Sequence, residues 1–398
     1  MISRNGLPAV ALAGSLALAG AARADDIATQ FRGGPAHLGQ YPGPSAGDLQ
    51  RVVWRFQTGH MVEASPTVVG GVVYIGSRDG RFYALDEATG APRWSFKADS
   101  GITATAAVAG GLAFFQSDKG TLYALDLATH RPRWTRPLGP DMPFVSAYPA
   151  SGLADYWTSS PLLFEGKLVV GGGDGAVHAF DAASGRPLWR FQTKGRVRSS
   201  PATDGTRVFA GSLDGTMYAL DLKTGALAWS FKTEGNTYFP VGHIQSSPAV
   251  ADGKVIFGSR DFWLYALDAR TGAQVWRTRH EGSWVIASPA VSGDLVCTGG
   301  SDTQRMECDD LATGKPVWKT GIKNNIFASA AIVDGHVYVG SFMGGAVSFD
   351  LKTGAIDGFN IADGRSNSSP VVDRGVLFIG SDNGSVYAFA AGPRKPAG

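Results

Sequence analysis

Eight short triplets rich in small hydroxyl residues recur along the chain. They are Ala-Ser-Pro at 64–66, Ala-Thr-Ala at 104–106, Ser-Ser-Pro at 159–161, 199–201 and 246–248, Ala-Ser-Pro at 287–289, Ala-Ser-Ala at 328–330 and Ser-Ser-Pro at 368–370. The residue before each triplet varies: Glu63, Thr103, Thr158, Arg198, Gln245, Ile286, Phe327 and Asn367. Polar groups that enter at one register from several copies converge, which is how a small-ligand or peptide site is built. Glu63, Thr158, Arg198, Gln245 and Asn367 are the ligand-binding candidates of this set. Glu63 and Asn367, from the first and last copies, offer oxygen ligands to a hard cation such as calcium. Two aromatic-rich linkers lie beside this register. Asp141 to Trp157 carries Met, Phe, two Tyr and Trp, and Asn236 to Gln245 carries Tyr238, Phe239 and His243. Trp157 and Trp284 are the candidates for stacking on a flat cofactor, and His243 joins the same mouth; each also reads as packing. The whole set equally describes the solvated lining of a wet channel.

Other chemistry is poorly served. The histidines show no metal-ligand spacing, and no metal site is expected. The triplet serines lie at a repeated strand start and not in a nucleophile elbow. Gly171-Gly172-Gly173 with Gly175 follows a hairpin register, so it is not a phosphate loop. Asp86, Asp126, Asp181, Asp221, Asp268 and Asp350 recur identically and are turn formers. Asp155 is the one acid outside the repeat that qualifies as a base, and no catalytic residue is assigned. Cys297 and Cys308 are the only cysteines; they form a disulfide or remain buried thiols, and they cannot make a haem attachment or a four-Cys zinc site.

The elements that must position these residues are short strands. Residues 76–94 read GSRDGRFYALDEATGAPRW and 211–229 read GSLDGTMYALDLKTGALAW, and related copies run to GSDNGSVYAFA at the end. Each unit of about 40 residues holds four strands, with a hairpin at Asp79-Gly80, an Asp-to-Gly turn over 86–90 and a strand opening on Trp94. Such a unit cannot bury both faces alone. Ring closure does it with only short edges. The last copy stops at Ala390 without a Trp strand, and an orphan Trp54-Arg55-Phe56-Gln57 precedes the first copy, matching Trp189-Arg190-Phe191-Gln192. The expectation is an all-β, eight-bladed propeller of four-stranded antiparallel blades over 51–391, its last blade completed by the Trp54 strand. A lead-in over 25–50 and a tail over 392–398 flank it.

The chain has 398 residues with 36 Lys and Arg against 34 Asp and Glu. Both surplus cations, Arg4 and Arg23, lie in the acid-free first 24 residues, with an apolar run from Leu7 to Ala19 and Ala22-Arg23-Ala24 as a cleavage site. This reads as a secretory signal peptide over 1–24, the run being short for a membrane span. No Cys lies in or beside it for a lipid anchor. Export to the periplasm, without membrane anchoring, is expected. The remaining chain is neutral, which argues against a nucleic-acid footprint.

The Tyr-Ala-Leu-Asp, Thr-Gly and Trp of the repeat, with the lead-in Gln30-Phe31-Arg32-Gly33-Gly34, resemble the pyrroloquinoline-quinone (PQQ)-type propeller repeat. The resemblance covers about 31–391. It is shared by quinone-dependent periplasmic dehydrogenases and by BamB-type lipoproteins of outer-membrane assembly, so two functions are implied. One is a non-catalytic binding or scaffold protein of the cell envelope that takes an envelope protein, a peptide or a small ligand at the channel mouth. The other is a dehydrogenase oxidising an alcohol or sugar with PQQ and calcium. The enzymes that the repeat resembles are usually longer, and many carry an adjacent Cys-Cys pair over the quinone; here the two Cys are eleven apart.

Overall fold

The computed structural model describes residues 29–142, 157–237 and 242–392. The expected signal peptide, Asp155, Tyr238 and Phe239 lie outside the described residues.

Blade 1 shows how the repeat folds. β1 (Arg51–Gln57) precedes it, and the blade itself comprises β2 (Thr67–Val69), β3 (Val72–Gly76), β4 (Arg81–Asp86) and β5 (Pro92–Lys97). β2 is innermost. β3 is buried along its whole length because its sheet is covered on both faces, whereas the outer β5 alternates between exposed and half-buried residues. Between β4 and β5, Asp86 Oδ1 accepts the N–H groups of Ala88 and Thr89 and the Thr89 hydroxyl. This is the expected turn-forming role, and the same bonds recur at Asp126, Asp181, Asp221, Asp268 and Asp350. Among the described residues there are eight such four-stranded sheets. No helix among them is long and apolar enough to cross a membrane.

In seven of the eight blades an outer-strand Trp fastens the blade to the next. Trp54, Trp134, Trp189, Trp229, Trp276 and Trp318 each donate Nε1–H to a carbonyl of the following blade's outer turn, at 2.8–3.1 Å. At Gly90, φ is +70° and a Cβ would stand 2.6 Å from the Trp54 ring, so the turn requires Gly for conformation and for space. Blade 2 has His130 at this place, and Trp94 stacks on its imidazole with centroids 4.6 Å apart.

The ring closes as the sequence pattern predicts. β1 pairs antiparallel with the strand Ser385–Ala390, Trp54 opposite Ala388, in the register that puts Trp94 opposite Ala84. Closure alters one interface. Blade 8 receives its outer strand from the N-terminus and so has no outer Asp turn for a Trp to dock on. Blade 7 accordingly carries Gly358 in the Trp position, opposite Ser348. Ala46 and Leu49 are fully buried there, and Asn360 Nδ2 donates to Leu49 O at 2.7 Å.

At the axis, the middle residue of each triplet bonds to the next blade. Ser65 N–H donates to Thr105 Oγ1, Thr105 N–H to Ser160 Oγ, and Ser160 N–H to Ser200 Oγ. The chain of bonds continues through Ser247, Ser288, Ser329 and Ser369 and returns to Ser65, all eight at 2.9–3.2 Å. Each blade thus donates a backbone N–H and accepts with a hydroxyl. Below this ring the lead-in crosses the inner strands. Thr203, Val250, Val291 and Ile332 donate N–H to the carbonyls of Pro35, Ala36, Leu38 and Gly39. Arg32 is buried, with its guanidinium donating to Ala330 O and, at 2.8 Å, to Pro289 O.

Two substitutions test these constraints. Ser247→Ala leaves the buried Ser200 N–H without its acceptor and is expected to cost about 1–3 kcal/mol in urea unfolding. Gly358→Trp restores the repeat residue yet is expected to destabilise by about 2 kcal/mol or more, because even a Cβ there would lie 2.6 Å from the Asp48 backbone.

Candidate functional site

All eight pre-triplet residues line one axial cavity, together with the hydroxyls of the ring, Phe31 and Trp157. Thus Glu63, Thr158, Arg198, Gln245, Asn367 and Trp157 meet as the sequence predicts. The cavity is about 70 Å³, room for a few ordered waters. Phe31, the first residue of a 3₁₀ turn over Phe31–Gly33, reaches it from the lead-in. The result is a cup with its floor on the lead-in. Each ring oxygen accepts a backbone N–H and retains its own hydrogen to donate, so the wall offers hydroxyl donors.

Two candidates fall outside the lining. His243 is buried at φ +30° in the segment leading to Gln245 and is not among the residues that line the cavity. Trp284 is half-buried and does not line the cavity, with the Arg260 guanidinium 5.5 Å above its ring. Arg260 in turn donates to Gln245 Oε1, so Trp284 supports the mouth through two intermediaries.

The pre-triplet residues are paired with a second set exactly one interval away, a set that the sequence reading missed. Glu63 forms an ion pair with Arg78, Thr103 Oγ1 donates to Asp118 Oδ1 at 2.7 Å, and Gln245 accepts from Arg260. Phe327 lies against Phe342 with centroids 4.7 Å apart, and Asn367 Nδ2 donates to Asp382 Oδ2 at 3.0 Å. In every case the separation is 15 residues, because the second residue follows the Ser just past the end of the neighbouring strand of the same blade, after Gly-Ser in four cases and Gln116-Ser117 in the fifth. Chemical complementarity at this constant spacing was the available signal. Arg198 takes its partner from the linker instead: its Nη2 is 2.6 Å from Asp141 Oδ2, and Arg196 lies 3.4 Å from the same oxygen.

Adjacency of blades 8 and 1 brings Glu63, Asn367 and Asp382 to one corner. Burial, reinforced by the Glu63 charge, pushes the Asp382 carboxyl up to about 6, against Arg365 and the Asn367 hydrogen bond. Asn367 Oδ1 is buried without a hydrogen-bond partner among the described residues. Three oxygen donors therefore face a hard cation's requirements, while the guanidinium of Arg78 already supplies positive charge to Glu63. Cys297 and Cys308 are cross-strand neighbours in blade 6, joined in a disulfide and fully buried among the residues of blades 6 and 7. The bond staples a blade and does not cover the mouth.

The raised carboxyl carries a pH signature. The native chain binds the Asp382 proton more tightly than the unfolded chain, so this group's contribution to stability falls as pH rises from about 4 to about 6. Urea unfolding across that window is expected to show wild type losing stability relative to Asp382→Asn, with a constant difference above about pH 7.

A family model described as outer membrane protein assembly factor BamB matches residues 48–154, 146–324 and 244–393. No curated protein matches the sequence significantly. Among solved structures, BamB from Moraxella catarrhalis superposes with a TM-score of 0.70 at 20% identity, over 86% of this chain and 99% of that one. A europium-containing methanol dehydrogenase gives 0.74 at 14% identity, over 91% and 98% respectively. The quinohemoprotein alcohol dehydrogenase of Comamonas testosteroni gives 0.74 at 14%, over 92% and 80%. These likenesses establish the eight-bladed fold; the matches of the family model, which together span the propeller, show that the chain belongs to the BamB-type family of PQQ-repeat β-propellers.

Proposed function

We propose that this protein is a non-catalytic binding or scaffold propeller of the cell envelope, exported to the periplasm, that takes an envelope protein, a peptide or a small polar ligand at its channel mouth. The observation that carries this reading is the floored cup. Its wall hydroxyls are committed to the frame as acceptors, and its charged groups stand in pairs, Glu63 with Arg78 and Arg198 with Asp141. A group so paired can exchange its partner for a ligand's carboxylate, amide or ammonium, which is recognition chemistry. The description of the matching family as an assembly factor supports the same reading.

One observation favours a second reading, a PQQ-dependent dehydrogenase. Glu63, Asn367 and Asp382 could hold calcium, the orphaned Asn367 Oδ1 adding an amide oxygen to the two carboxylates. The quinone, when bound, supplies two-electron oxidation of an alcohol or sugar. The residues present fit the cation better than the quinone. The disulfide lies within a blade and not over the mouth, where many of the enzymes that the repeat resembles carry theirs.

The two readings separate experimentally. A photocrosslinking residue at Phe327, on the cup wall, is expected to give discrete adducts in envelope preparations, and one at the exposed Ala91 to give none. PQQ with Ca²⁺ is expected to leave the melting temperature unchanged. A rise that disappears in Asn367→Ala, accompanied by dye-linked alcohol or sugar oxidation, would replace the binding reading with the dehydrogenase.

A further inference from the structure

Blade 6 departs from the repeat in its third strand, Arg305–Asp310. By register against the outer-strand Trp, Glu307 and Asp309 occupy the places of Tyr265 and Leu267 in blade 5. Two apolar positions that face the preceding blade have become carboxylates, and both are fully buried. The preceding blade has changed to match. Thr278 and His280 stand where blade 4 has Phe231 and Thr233. His280 is also fully buried, its Nε2 2.6 Å from Glu307 Oε1. One donor atom from each of His280, Glu307 and Asp309 lies within 4.8 Å of the other two. Thr298 Oγ1 stands 3.4 Å from His280 Nε2.

The cluster is incompletely satisfied. Arg305 and Lys319 each lie 3.2 Å from Glu307 Oε2 and answer that oxygen from the partly exposed side. Neither oxygen of the buried Asp309 has a hydrogen-bond partner among the described residues. A buried carboxyl in that condition either keeps its proton or is met by a cation. A metal ion would meet both unsatisfied oxygens of this carboxylate with positive charge. The disulfide joins Cys308, between the two acids, to Cys297 on the adjacent strand, and so holds the pair on a stiff part of the blade.

We propose that His280, Glu307 and Asp309 form a structural divalent-metal site, of the zinc class, that bridges blades 5 and 6. One imidazole nitrogen and two carboxylate oxygens suit Zn²⁺, with water or the Thr298 hydroxyl completing four-coordination. The two carboxylates balance the charge of the ion. Binding draws the donors together by rotation of the Asp309 and His280 side chains. The site stands apart from the axial cup and its function.

The test is Zn²⁺ titration of the purified full chain after chelator treatment, read by calorimetry and thermal unfolding. One Zn²⁺ per chain is expected, with a melting rise of about 4 °C at a hundredfold excess over Kd. Asp309→Asn and His280→Gln are each expected to weaken binding at least tenfold. Should those variants fold poorly, the triple change His280→Thr, Glu307→Tyr, Asp309→Leu restores the residues of blades 4 and 5. It is expected to melt above the metal-free wild type and to ignore Zn²⁺. A wild type unmoved by Zn²⁺, an Asp309→Asn protein with wild-type affinity, or a triple variant that still responds would each overturn the proposal.

Discussion

Every blade of this propeller depends on a hydroxyl one blade further round. The N–H at the middle of each triplet is buried at the axis, beyond reach of its own sheet's ladder, and it is satisfied by the Ser or Thr oxygen of the next blade. An unpaired N–H in that place would cost as much as a lost hydrogen bond. A closed circuit of eight such bonds sets how near the inner strands approach, and hence the width of the cup. It also fixes the residue before each triplet at the rim. The abundance of serine in the triplets, which at first invites a nucleophilic reading, is thereby accounted for.

The N-terminal segment completes what the circuit cannot. β1 supplies the missing fourth strand of blade 8, and the lead-in bonds across the inner strands beneath the circuit. Both contacts pair residues hundreds of positions apart or on many blades at once. They make the two ends of the array one closed object, so that a solenoid's polar caps are unnecessary. Gly358 is the trace of this arrangement in the sequence: one blade gives up its Trp because the lead-in passes through the space that a Trp would fill.

Much of the site was legible because the repeat turns sequence position into depth along the axis. Glu63, Thr158, Arg198, Gln245 and Asn367 share one place relative to the triplet, so they had to share one level of the ring. Trp157 reached the lining as well. His243 and Trp284 lie near that register, Trp284 also with a ring that could stack on a flat cofactor, but nearness along an irregular linker does not say which way a side chain turns. Arg78, Asp118, Arg260 and Asp382 were passed over because they lie in hairpins where polar residues are ordinary. Their significance lay in complementarity to a residue 15 places earlier. The buried His280, Glu307 and Asp309 showed no ligand spacing, since their proximity comes from packing one blade on the next.

What the sequence determined by itself was therefore everything governed by local bonding and alternation: strand, hairpin and Asp-turn positions, the count of eight units, and the strand that closes them. These follow from forces acting within about 40 residues, and they repeat, so each copy checks the others. Tertiary structure alone decided which charged groups neutralise one another, which aromatic faces the cup, and that two buried acids of blade 6 share a pocket with a histidine of blade 5. Those outcomes depend on distances between side chains of different blades, and burial makes them matter because low dielectric strengthens every pairing and every omission.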